Sequence, residues 1–184
     1  ALATQSQLFK QMGDTIEKTT SLSNSLIRVT FSNKGGRVKD VELKNYRGTD
    51  SSWVKMGATT FDKLGYQINA VAASNQGTAS TADLIFSKID SATLANGNQS
   101  ISFTLALDSG NTYITHEYVI KKDDYMIDFT VKMGGAEKIL SGGTMNMLWQ
   151  YAAAQQEGSL SYERENTQIG YVKDGSFDYH SMFK

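Results

Sequence analysis

The chain contains no cysteine. That removes disulfide frameworks, thiol nucleophiles and every cysteine-ligated metal site from consideration. It also contains no proline, where average usage of about 5% predicts roughly nine in a chain of this length. Proline takes a donor out of a β ladder, so its absence suits long unbroken strands. Only two histidines are present among 184 residues, which leaves almost nothing for a histidine-rich metal or acid/base centre. Neither charge sign is in surplus. Lys plus Arg number 18 against 19 Asp plus Glu, for a net charge of −1. A dedicated nucleic-acid binder neutralises phosphates with a basic excess, so no nucleic-acid partner is expected. Long apolar runs are missing too. The two longest uncharged stretches, Leu64 to Ala82 and Ile139 to Gln156, are interrupted by Asn, Gln, Ser and Gly and do not read as membrane spans. The first residues, Ala1 to Lys10, lack the charged start and apolar run of a signal peptide. What remains is one domain's length of sequence, 40% apolar and 20% charged: a soluble folded domain, expected not to be an enzyme.

The opening twenty residues differ from the rest. Leu8, Phe9, Met12 and Ile16 carry a helical spacing, so residues 1–20 are read as a tail or short amphipathic helix ahead of a domain at 21–184. Beyond them the period becomes two. Ile27, Val29 and Phe31 alternate with Arg28 and Thr30, and Asn33-Lys34-Gly35-Gly36 makes a tight reversal into Val41 and Leu43. Val38 is one residue out of phase with those two, which predicts a bulge. Residues 48–82 read as loop-rich, with one strand at Gly65–Ala70 and a polar stretch of small residues from Ala73 to Ala82. Strands are then predicted at Leu84–Ile89, through Ile101, Phe103, Leu105 and Leu107, at Tyr113–Ile120 and from Tyr125 to Met133. The turns between them are Ala95–Asn98, Asp108–Asn111 and Lys121–Asp124. Met145, Met147, Trp149 and Tyr151 form a further apolar stripe. Tyr162–Glu165 and Gln168–Val172 read as weaker strands, and Asp174-Gly175 as a hairpin turn before Phe177–Tyr179. Ten to twelve strands with almost no helix imply an all-β antiparallel sandwich.

Chemistry is thin on this framework. No Gly-x-Ser-x-Gly elbow, phosphate-binding glycine loop or EF-hand spacing is present, so no catalytic residue, cofactor or metal is assigned. His116 sits within a strand and reads as a residue bonded to backbone or water. Glu163 and Glu165, two apart on the predicted strand, read as an exposed face rather than a catalytic pair. The best binding material is aromatic: Trp53 in the loop-rich middle, and Trp149 and Tyr151 on one strand. These three are either packing between sheets or a contact surface for a partner, peptide or glycan.

Three segments carry a resemblance to a known family. Leu26-Ile27-Arg28-Val29-Thr30-Phe31-Ser32-Asn33-Lys34-Gly35-Gly36-Arg37-Val38 with Val41-Glu42-Leu43-Lys44-Asn45-Tyr46 resembles the opening of the large periplasmic domain of the YidC membrane-protein insertases. The run from Thr115 to Ile127, with its Lys-Lys-Asp-Asp-Tyr turn, is similar to that domain's second signature. The stretch from Gln155 to Tyr179 is similar to versions from Bacteroidetes-like bacteria. The resemblance implies an antiparallel β-supersandwich of the galactose-mutarotase-like type, on the periplasmic side of a bacterial inner-membrane protein. It implies a non-enzymatic interaction domain that assists insertion and folding of membrane proteins, with or without the Sec translocon. Sec accessory proteins and nascent membrane-protein clients are the partners it suggests. The family's functional arginine lies among transmembrane helices and has no counterpart here. Trp53, Trp149 and Tyr151 are the residues assigned to partner contact. A mutarotase-like sugar-active enzyme, or a glycan-binding sandwich, is the alternative, and its acid/base group would have to be His116 or His180.

Overall fold

Alternating apolar residues bury one face of a strand, and two such faces must find each other. In the computed structural model, which describes residues 16–57, 59–72, 75–107 and 111–181, they do so as two antiparallel four-stranded sheets. The first contains β1 (Thr19–Ser23), β2 (Ile27–Ser32), β3 (Arg37–Arg47) and β4 (Trp53–Gly57), side by side in that order. The second contains β8 (Lys88–Thr93), β9 (Gln99–Ala106), β10 (Tyr113–Ile120) and β11 (Ile127–Gly134), again as a meander. Ile27, Val29 and Phe31 of β2 face Ile101, Phe103 and Leu105 of β9 and Ile114, Tyr118 and Ile120 of β10 in one buried cluster. Phe31 lies between Phe103 and Tyr118, with ring centroids 6.0 and 5.1 Å away. The outward faces are polar. Glu117 pairs with Lys132, and Glu42 with Arg28 and Lys55. Both sheets therefore show water a wetted side.

Three smaller ribbons attach to this frame. They are β5 (Lys63–Gly65) with β12 (Leu148–Gln150), β6 (Gln67–Ala72) with β7 (Asn75–Ser80), and β13 (Gln168–Lys173) with β14 (Ser176–Ser181). Helix α1 (Ala136–Ile139) follows β11, and α2 (Leu160–Asn166) precedes β13.

The expected bulge is present. Thr30 opposes Asp40 but Phe31 opposes Val38, so Lys39 is the extra residue that brings Val38 into phase. The hairpin at Asp174-Gly175 is also present, with both residues at positive φ (52° and 80°), as a primed turn requires.

Elsewhere the structure corrects the pattern. The segment Tyr162–Glu165 is helix, not strand. Ser159 caps it by accepting the Tyr162 N–H, and Leu-Ser-Tyr-Glu-Arg-Glu-Asn holds no β-branched residue to favour extension. Strand β1 starts at Thr19, inside the region assigned to the tail. The helical spacing through Leu8, Phe9 and Met12 lies outside the described residues, as do residues 108–110 of the predicted turn at Asp108–Asn111. Residues 48–82 are not mainly loop. They supply β4, β5, β6 and β7, and β7 covers much of the stretch read as polar and irregular. A ladder is made by backbone groups, so a strand poor in large apolar side chains leaves little trace in the pattern. The segment Leu84–Ile89 is only partly a strand. It makes a single bridge, Ile85 to Lys34, before β8 begins at Lys88.

One strand end depends on a missing side chain. A Cβ on Gly134 would lie 2.3 Å from the Asn111 carbonyl oxygen and 2.4 Å from the Tyr113 ring. Gly134→Ala is expected to lower unfolding stability in urea by about 1–3 kcal/mol, the usual range for overpacking; an unchanged midpoint would contradict this close approach.

Candidate functional site

The turn Asn33–Gly36 was read as a simple reversal, yet it is where the two sheets are joined. Gly36 has φ of 53°, open to glycine at least cost. A Cβ there would meet His116 Nδ1, Phe103 Cβ and Phe86 Cγ, each at 3.1 Å. Its carbonyl oxygen accepts two hydrogen bonds from β10, one from His116 Nδ1 at 2.9 Å and one from the Tyr118 hydroxyl at 2.9 Å. A carbonyl only accepts, so Nδ1 carries the proton. Nε2 of the neutral ring then accepts from the Tyr66 hydroxyl, 2.9 Å away. Asn33, itself buried, extends the junction. Its side-chain oxygen accepts the Lys18 N–H and its backbone oxygen the Phe86 N–H, while Gly35 N–H reaches the Leu84 carbonyl. The opposite end of β2 is tied by Asn24, whose amide donates to the Lys121 and Asp124 carbonyls.

His116 is 0% exposed. Phe86 lies 4.6 Å and Phe129 5.4 Å from it, centroid to centroid. Burial pushes its pKa below the ordinary 6.5, against the opposing pull of the Gly36 and Gly35 backbone. Burial likewise raises the Tyr66 and Tyr118 hydroxyls. Both ring nitrogens are engaged and no face of the ring meets solvent, so this is a structural histidine with no access for a sugar. His180 stands apart on β14, exposed and opposite Ile169. Glu163 and Glu165 do not make a carboxylate pair either, because Glu163 accepts the Gln156 and Glu157 N–H groups. Among the described residues no group of three His, Asp or Glu could hold a metal ion.

The three aromatics assigned to contact are not one cluster. Trp53 is 38% exposed and lies under the Arg47 guanidinium, 3.4 Å from ring centre to Cζ, across the β3–β4 pair. Tyr151 accepts the Gly57 N–H at the far end of β4. Trp149 stands on β12 opposite Leu64 and is 80% exposed. None of them packs between the sheets. The stripe Met145, Met147, Trp149, Tyr151 is exposed throughout, and so is Leu148 on its other face. Asp62 anchors this region. It is nearly buried, and its carboxylate accepts the Ala152 N–H at 2.7 Å and the Thr59 N–H at 2.9 Å. Burial opposes its ionisation, but these bonds prevail and hold its pKa below the ordinary carboxylate value. Asp62 was missed in the sequence, where an isolated aspartate in a loop carries no signal.

With the fold and site in view, comparison with known proteins is decisive. The family model described as the YidC periplasmic domain matches residues 19–184. The chain belongs to the YidC periplasmic domain family. Similar relatives are each named membrane protein insertase YidC. The one from Bacteroides fragilis is 30% identical over 161 residues, covering 86% of this chain and 24% of the relative. Those from Phocaeicola vulgatus and Porphyromonas gingivalis are 29% and 27% identical, covering 91% and 86% of this chain and 26% and 24% of the relatives. The chain thus spans about a quarter of the length of the curated relatives it matches. No solved structure matches it. As a YidC periplasmic domain it lies on the periplasmic side of a bacterial inner-membrane protein, and no described helix is long and apolar enough to cross a membrane. Asn33–Gly36, part of the first segment that carries the resemblance, is a packing motif in this chain's sandwich.

The His116 site has a pH signature. Unfolded, His116 takes up a proton near pH 6.5; folded, it does so only at lower pH. Stability is therefore full above pH 6.5 and falls as pH drops below it, by up to about 1.4 kcal/mol per pH unit. In His116→Gln, urea titrations between pH 6.5 and about 5, above the ordinary carboxylate range, are expected to lose this slope. Retention of the full slope would show that another group carries it.

Proposed function

We propose that this domain is a non-enzymatic interaction module that assists insertion and folding of membrane proteins, with or without the Sec translocon. Its partners are Sec accessory proteins and nascent membrane-protein clients, and its contact surface carries Trp53, Trp149 and Tyr151. The observation that supports this most is where apolar side chains lie. The sandwich fills its own core, yet Met145, Met147, Leu148, Trp149 and Tyr151 stay exposed on one short ribbon and its flanks. Large apolar groups left outside a completed core mark an interaction surface. The names of the relatives supply the setting, since each is a membrane protein insertase. The mutarotase-like alternative has no such support, because His116 is sealed in the core and His180 lies exposed on β14 opposite Ile169.

The test uses the full-length parent protein in its own membrane. Photo-crosslinkers at positions 53 and 151 are expected to capture Sec accessory proteins or nascent clients. With the crosslinkers moved to the neighbouring positions 52 and 150, replacing Trp53, Trp149 and Tyr151 together by alanine should cut capture at least about fivefold relative to the same crosslinkers beside the native aromatics, as loss of aromatic anchors does, while the melting temperature moves little. Sugar epimerisation by the purified chain, abolished in His116→Ala, would overturn the proposal.

A further inference from the structure

The ribbon that bears Trp149 has an unusual electrostatic character. From Ile139 to Gln156 the chain carries no charged residue, although one residue in five is charged overall. Charge is what normally keeps exposed loops solvated, and this loop is exposed at Met145, Met147, Leu148, Trp149 and Tyr151. Strand β12 pairs only with the three residues of β5, so Leu148 and Trp149, which alternate in direction along the strand, are both open to the surroundings at 56% and 80%. Lys63, opposite Gln150, is the only charged side chain on the two paired strands, and a lysine stem can lie along an apolar surface with its ammonium in the headgroups. The β13–β14 hairpin is equally exposed but mixes Lys173, Asp174 and Asp178 with its apolar residues, which suits water or a protein rather than hydrocarbon.

A ribbon whose single charge is a lysine, tipped by tryptophan, leucine and methionine, matches the boundary between lipid headgroups and acyl chains, where indole rings partition. The family anchors the domain to a membrane, which keeps that surface at high effective concentration. We propose that Met147, Leu148 and Trp149 form a shallow lipid-contacting tip that seats the domain on the periplasmic face of the bilayer. This rests on the contact surface assigned above and names lipid as what meets its Trp149 end. Binding is apolar, so it is indifferent to salt and to anionic lipid.

The full chain carrying Trp53→Phe leaves Trp149 as the single tryptophan. Mixed with vesicles of phosphatidylethanolamine and phosphatidylglycerol, its fluorescence is expected to shift blue and to be quenched by lipids brominated near the headgroup. Vesicle co-sedimentation should fall at least about tenfold in Leu148→Ser/Trp149→Ser, as expected for losing two apolar side chains that are only partly buried in a shallow contact, with circular dichroism unchanged. Replacing phosphatidylglycerol by phosphatidylcholine should leave it unaltered. Absence of quenching overturns the proposal. So does binding that vanishes without anionic lipid, co-sedimentation that persists in the double variant, or a concentration-dependent dimer that covers Trp149. If the vesicle arm fails while crosslinkers at 53 and 151 still capture proteins, the lipid tip falls and the interaction module stands. If both fail, so does the module.

Discussion

The Gly36 carbonyl oxygen is the point on which the sandwich closes. It belongs to the β2–β3 turn, yet both of its hydrogen bonds come from β10 in the other sheet. Apolar burial pulls the sheets together but does not fix how they meet, since one greasy face slides on another. A buried acceptor with two directed donors does fix it, and leaving it unpaired in an apolar core would cost about 1–3 kcal/mol. The residue must be glycine, because the backbone is left-handed there and three side chains crowd the space a Cβ would take. His116 must be neutral, because the carbonyl demands a proton on Nδ1 and Tyr66 donates to Nε2. Burial enforces that state. One backbone oxygen thus sets a glycine, a histidine tautomer and two tyrosines.

The consequence for function is a separation of roles. His116, Tyr66 and Tyr118 are engaged in holding the sheets, and the outer faces of both sheets carry ion pairs. The β5–β12 ribbon and the β13–β14 hairpin carry much of the exposed apolar material, Trp149 at 80% and Phe177 at 73% above all. Asp62 stiffens the first of these by binding backbone on both sides of it, at Thr59 and Ala152. Apolar appendages on a sandwich with a filled core are what the proposed interaction role draws on.

Much of the fold was legible because the core strands alternate cleanly. Ile27, Val29 and Phe31, and Ile101, Phe103 and Leu105, can bury only one face, and even the bulge at Lys39 showed as a phase error at Val38. Period says nothing where the ladder runs through small polar residues, and so β7 was read as irregular. Nor does it separate a short strand from a short helix, so the Ser159 cap was needed to place α2. Trp149 illustrates a deeper limit. A stripe of Met, Trp and Tyr looks the same whether it faces a core or solvent; the exposure of Trp149, with no second sheet over β12 among the described residues, decides. His116 was legible as a strand residue bonded to backbone or water, but its backbone partner, eighty residues away in sequence, was not.

The closing of the sandwich on Gly36 can be observed directly at the imidazole. Nitrogen-15 chemical shifts of His116 at neutral pH are expected to show a neutral ring protonated at Nδ1, with that proton exchanging slowly. A charged ring, the Nε2–H tautomer, or a proton lost rapidly to solvent would mean that the carbonyl is not held as described and that the sheets are joined by some other means.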